Sequence, residues 1–131
     1  MKKLLLAAFA LLILSVMSAS VSAQKATRIT FKRGSDRAIV TGTLDGYRSK
    51  RTFVIRVLKG QRMTTESAGN NAITVSIEAP KGSTYEQDMA ADCHDRNEVF
   101  PTAAGDYRIT VTECQKADRW KGKFRMVVEV R

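Results

Sequence analysis

DYRITVTEC, Asp106 to Cys114, decides the fold. Tyr107, Ile109 and Val111 alternate with Arg108, Thr110 and Thr112, so apolar and polar side chains leave opposite faces of an extended chain. A strand of that kind has one face to bury and one to show to water. The rest of the chain repeats the pattern. KFRMVVEV (123–130) alternates Phe124, Met126, Val128 and Val130, and TFVIRVL (52–58) puts Phe53, Ile55 and Val57 together. AITVSIEA (72–79) does the same with Ile73, Val75 and Ile77, AIVTGTL (38–44) is β-branched, and ITF (29–31) is a short run around Thr30. Turn residues punctuate these runs: Asp45-Gly46, Lys59-Gly60 and Pro80-Lys81-Gly82. The expectation is an all-β antiparallel domain, a sandwich or a small barrel. The polar segment 83–98 has no clear period and reads either as loop or as loop with a short strand near Cys93. No internal repeat, low-complexity tract or linker divides the chain.

The N-terminus predicts the compartment. Lys2 and Lys3 precede the apolar run LLLAAFALLILSV (4–16), and SASVSA (18–23) places Val21 and Ala23 for cleavage before Gln24. That is the layout of a cleavable signal peptide, residues 1–23, followed by one exported domain, residues 24–131. The apolar run is short for a membrane span, and no cysteine near the cleavage point invites lipidation. The whole chain carries +9 at pH 7; losing Lys2 and Lys3 leaves +7. A basic exported domain is drawn to polyanions such as envelope lipid, nucleic acid or anionic polysaccharide.

Cys93 and Cys114 both lie in the exported part, and an even pair in an oxidising compartment predicts one disulfide. It would close a loop of about 20 residues, worth roughly 3 kcal/mol by chain entropy. The competing reading is a reactive thiol beside His94, in DCHD, but neighbours in a strand point to opposite faces and a nucleophile needs its base in contact. Other catalytic signatures are missing. One histidine cannot anchor a zinc site alone, Asp88, Asp92 and Asp95 follow no calcium-loop spacing, and no serine sits in a Gly-x-Ser-x-Gly elbow. Phosphate-binding glycine motifs are absent. The chain is expected not to be an enzyme and to need no metal or cofactor.

KADRWKGKF (116–124) sets four cations and a tryptophan between two strands. Single-stranded nucleic acid would want several stacking aromatics among the cations; Tyr47 and Trp120 are too few, so nucleic acid is disfavoured. Three stretches carry a resemblance. ITFKRGSDRAIVTGTLDGYRSKRTFVIRVLKGQRMTTE (29–66) and FPTAAGDYRITVTE (100–113) look like the bacterial pre-peptidase C-terminal domain, a small secreted β-sandwich. QKADRWKGKFRMVVEV (115–130), with the Gly46-Tyr47 turn, is similar to the periplasmic inhibitors of g-type (goose-type) lysozyme. The resemblance spans nearly all of residues 24–131, weakest over 83–99. It implies a small antiparallel β-sandwich, jelly-roll-like, in the periplasm, with g-type lysozyme as protein partner.

Carried over by position, the resemblance gives Tyr47 and Arg119 as residues entering the lysozyme cleft, with Gln115, Lys116 and Trp120 beside them. Gln115 stands where the family pattern favours a second arginine, and the cysteine pair is an addition to the pattern. Tyr47 has a second reading as a turn tyrosine covering the sandwich edge. Trp120 has one as a packing residue folded over a strand, and Tyr107 reads as core or corner. RSKR (48–51) either extends the patch or is a solvated face. A non-enzymatic module for peptidoglycan or another anionic polysaccharide is the alternative function.

Overall fold

A computed structural model of the chain describes residues 24–87 and 93–131. The expected signal peptide, and Asp88 and Asp92 of the acidic segment, lie outside the described residues. Eight strands follow in order: β1 (Thr27–Arg28), β2 (Arg37–Asp45), β3 (Lys50–Val57), β4 (Met63–Ser67), β5 (Ile73–Glu78), β6 (Arg96–Val99), β7 (Gly105–Glu113) and β8 (Lys121–Val130). They form two four-stranded sheets, β1-β3-β7-β5 and β2-β8-β4-β6. The protein is an all-β sandwich.

The alternation read from the sequence is the burial pattern. Tyr107, Ile109 and Val111 are fully buried on β7, facing Phe124, Met126 and Val128 of β8 from the other sheet. Phe53, Ile55 and Val57 of β3 and Ile73, Val75 and Ile77 of β5 complete one inner face, and Val40, Leu44, Met63 and Val99 complete the other. Phe53 and Phe124 meet edge-to-face across the sandwich, with ring centroids 6.3 Å apart. Tyr107 is a corner residue. Its hydroxyl accepts from the Ala103 N–H at 3.0 Å and donates to the Ala103 carbonyl, tying the strand to the turn before it.

Three details depart from the sequence reading. Ile29–Phe31 is not a strand. The pairing lies just upstream, where Thr27 and Arg28 join β3, and it is parallel, unlike every other pairing here. Ile29 is buried directly after it, and its N–H donates to the Val54 carbonyl. The polar runs β4 and β6 are strands without apolar alternation, because Thr65 and Asn97 occupy inward positions. They are paid for in hydrogen bonds: Asn97 Nδ2 donates to the Thr65 hydroxyl and to the His94 carbonyl, and its Oδ1 accepts from Gln87. Gln87 also accepts from the Ile77 N–H and donates to the Val75 carbonyl, covering the free side of β5 as a further strand would. Third, β8 begins at Lys121, two residues before the run KFRMVVEV, so the basic loop is shorter than KADRWKGKF; Phe124 is core, as the alternation has it.

Gly42 makes room for that core. It pairs with Phe124 across β2 and β8, and a methyl group there would lie 2.6 and 2.7 Å from two ring carbons. Gly42→Ala is expected to cost about 1–3 kcal/mol through overpacking, seen as a lower urea midpoint; adding Phe124→Leu should recover part of it. Arg28 docks β1 by donating from both terminal nitrogens to the Asp106 carboxyl, at 3.3 and 3.2 Å. That hydrogen bonding holds the Asp106 carboxyl below its ordinary value. Its contribution to stability is therefore full above the usual aspartate range and is lost as pH falls through the lowered value. Asp106→Asn should remove that part of the acid-side loss, measured by thermal melts across pH.

Candidate functional site

Pairing Asp45 with Lys121, Lys50 with Thr112 and Ile73 with Glu113 brings three sheet-to-sheet connections to one end of the sandwich. They are the β2–β3 turn, the β4–β5 connection and the β7–β8 loop. In the first, Gly46 takes φ +83°, which an L side chain rarely adopts, and the Ser49 N–H donates to the Gly46 carbonyl. Tyr47 and Arg48 are thereby the tip of a tight turn. In the β7–β8 loop the Ala117 N–H points back at the Cys114 carbonyl, which puts exposed Gln115 and Lys116 at the tip.

The loop is held from beneath. Glu113 is the last inward position of β7 and is 1% exposed. Its Oε1 accepts from the Trp120 main-chain N–H at 2.6 Å. The Trp120 indole N–H donates to the Ala72 carbonyl at 2.8 Å, and its ring packs partly buried against the core. Cys114 donates its N–H to the same carbonyl and is bonded to Cys93, with Cα atoms 5.3 Å apart. The disulfide reading is the structure's, and the thiol reading falls with it. Of the two readings of Trp120, the packing role is present here.

Between these anchors, Arg119 reaches across to the β2–β3 turn. Its guanidinium carbon lies 4.8 Å from the centroid of the Tyr47 ring, a stacking worth about 0.5–1 kcal/mol at an exposed site. One terminal nitrogen also approaches Gly46, where a Cβ would be 3.7 Å away. Arg119 is exposed and makes no hydrogen bond or ion pair among the described residues, so its N–H donors are not used within them. Tyr47 is half-buried. Asp45, Gly46, Arg119, Trp120 and Lys121 line a shallow hollow beside the pair. Arg48, Lys50 and Lys121 add exposed positive charge at this end.

No protein-family model matches this chain, and no curated protein does. Solved structures do. PliG of Aeromonas hydrophila, a periplasmic lysozyme inhibitor of g-type lysozyme, superposes with a TM-score of 0.61 over 82% of this chain and 96% of its own, at 17% identity. The chain has the fold of that inhibitor. PliG of Salmonella Typhimurium gives 0.61 over 83% and 100% at 15% identity, and a PliG mutant from Escherichia coli gives 0.59 over 83% and 100% at 17%. The resemblance read from the sequence thus holds at the level of the fold.

Tyr47 and Arg119, which the resemblance singled out, are in contact; Gln115 and Lys116 lie at the adjacent tip, and Trp120 supports them from below. Glu113 and Ala72 were not foreseen. The parity of β7 held the signal for Glu113, since it continues the inward series Tyr107, Ile109, Val111; nothing local marks Ala72, which acts through its carbonyl alone. His94 takes φ 53°, its carbonyl accepts from Asn97, and its buried Nε2 has no hydrogen bond among the described residues. Among those residues no three His, Cys, Asp or Glu side chains gather as a metal site. Replacing Cys93 and Cys114 together by serine should lower unfolding stability by about 3 kcal/mol, measured by urea unfolding against the oxidised parent.

Proposed function

We propose that this chain is a periplasmic inhibitor of g-type lysozyme, not an enzyme, and that Tyr47 and Arg119 enter the substrate cleft together. The observation that carries the reading is the exposed Arg119 guanidinium over the Tyr47 ring, at one end of a fold shared with the PliG inhibitors. Lysozymes cleave with carboxyl groups, one of which must keep its proton to act as general acid. A guanidinium set beside that carboxyl donates two parallel charge-assisted hydrogen bonds and favours the ionised form. The acid is lost and the loop blocks entry of the sugar chain. Arginine suits this better than lysine, because its planar fork matches a carboxylate and it stays charged.

Several features add to this. Stacking on Tyr47 limits the positions of Arg119 before binding, so less side-chain freedom is lost at the interface. Gln115 and Lys116 would contact the rim of the cleft. The cleavable export signal expected over residues 1–23 would deliver the domain to the periplasm. The exposed cations at the same end also favour a second reading, a binding module for peptidoglycan or another anionic polysaccharide.

A lysozyme panel separates them. The purified exported chain should slow g-type but not chicken-type lysozyme on cell-wall substrate, and Arg119→Ala should weaken inhibition about 10- to 100-fold, the loss of one charge-assisted contact. Inhibition should persist in salt, since screening relieves repulsion between two basic proteins. No inhibition at large excess over every lysozyme would overturn the proposal. Retention on peptidoglycan that fades steeply with salt, insensitive to Arg119→Ala, would establish the polysaccharide reading instead.

A further inference from the structure

One edge of β2 is unpaired, although Thr30, Lys32 and Ser35 flank its first residues across a hollow. β2 pairs with β8 on one side over its full length, and it has no pairing on the other side among the described residues. Which backbone groups face that edge follows from register. The Val130 N–H donates to the Asp36 carbonyl, one step before the Arg37–Glu129 pair. In an antiparallel ladder this makes Asp36–Val130 a hydrogen-bonded pair, so even-numbered β2 residues turn their N–H and C=O toward β8 and odd-numbered residues turn theirs away. Arg37 agrees: its outward N–H and C=O are both taken by the Ser35 hydroxyl. The outward main-chain groups of Ile39, Thr41 and Thr43 have no such hydrogen bond among the described residues. Their side chains lie on the outer face, where Ile39 is 55% exposed.

The edge groups of Ile39, Thr41 and Thr43, all β-branched and with no proline among them, form a short template for another strand. The outer face of β2 also selects its partner. In an antiparallel pairing centred on Thr41, Arg37 of one copy lies opposite Asp45 of the other, at both ends, and Ile39 lies opposite Thr43. The neighbouring β8 residues extend the match, because Glu129 pairs with Arg37 and Lys121 with Asp45. Each end of the joint sheet would then read Glu129, Arg37, Asp45, Lys121 across four strands, alternating in sign. Opposite charges facing each other across strands stabilise the pairing, and like charges oppose it.

We propose that two copies of this chain associate through their β2 edges about a two-fold axis at Thr41, joining sheets β2-β8-β4-β6 into one eight-stranded sheet. The Ile39–Thr43 pairs and the Thr41–Thr41 pair each exchange two main-chain hydrogen bonds. Because β2 runs antiparallel to its copy, the two Tyr47–Arg119 ends point away from each other and both remain open. The interface shares only Asp45 and Lys121 with the hollow beside Tyr47 and Arg119, and it is measured without lysozyme, so it stands or falls separately from the inhibitor reading.

Sedimentation equilibrium of the purified exported chain tests it, with register read by cysteine cross-linking. The expected result is a concentration-dependent dimer. Arg37→Asp or Asp45→Arg alone should weaken it about tenfold by setting like charges opposite, and the two together should restore it. Thr41→Cys should form a disulfide-linked dimer on mild oxidation, its two Cα atoms lying within bridging distance. Thr43→Cys, displaced along the strand from its symmetry mate, should not. A monomer at every soluble concentration would overturn the proposal, as would a dimer indifferent to the charge reversals or one that Thr43→Cys links as readily as Thr41→Cys.

Discussion

The carboxyl of Glu113 accepts the Trp120 N–H from the last inward-facing position of β7, and the loops at that end of the sandwich depend on the placement. β7 lies between β3 and β5, and every second side chain along it, from Tyr107 to Val111, is sealed in the core. A one-residue slip would turn that whole series to solvent, so the register is strongly specified. Glu113 inherits it. A polar group held at a core position needs a partner, and the Trp120 N–H supplies one. Trp120 then spans to Ala72 on the β4–β5 connection, and Cys114 fixes the same point to Cys93. With both ends of the loop held, Arg119 has a short reach, and the Tyr47 ring lies within it.

Parts of this were legible in the sequence for a definite reason. Strands that bury one face announce themselves by alternation, and β3, β5, β7 and β8 do so; their inward residues are the core. β4 and β6 stay silent because Thr65 and Asn97 replace apolar residues at inward positions, and their partners, Gln87 and His94, are distant in sequence or act through the main chain. The two-residue β1 is too short to show any period, and its place is set by the Arg28–Asp106 pair. At the site, Tyr47 and Arg119 were found through likeness to a family. Their contact is a consequence of β2–β8 and β3–β7 register, which only the assembled sheets display.

The same register explains why three loops meet at one end of the sandwich. Connections that cross between sheets must leave the barrel of the core, so their tips project, and three of them do so side by side. At this end Arg119 is stacked rather than ion-paired among the described residues, whereas Arg28, Arg62 and Arg131 elsewhere meet carboxylates. A stacked guanidinium keeps its in-plane donors for a partner's carboxyl group, and the aromatic face limits how far it can stray.

The central claim is that Tyr47 and Arg119 act as one unit on a lysozyme carboxyl. A double-mutant cycle of inhibition constants against g-type lysozyme, with Tyr47→Ala, Arg119→Ala and both, tests it directly. The account predicts a double variant weaker by less than the sum of the single losses, with a coupling of about 0.5–1 kcal/mol or more. Additive losses, or full inhibition by the double variant, would contradict it.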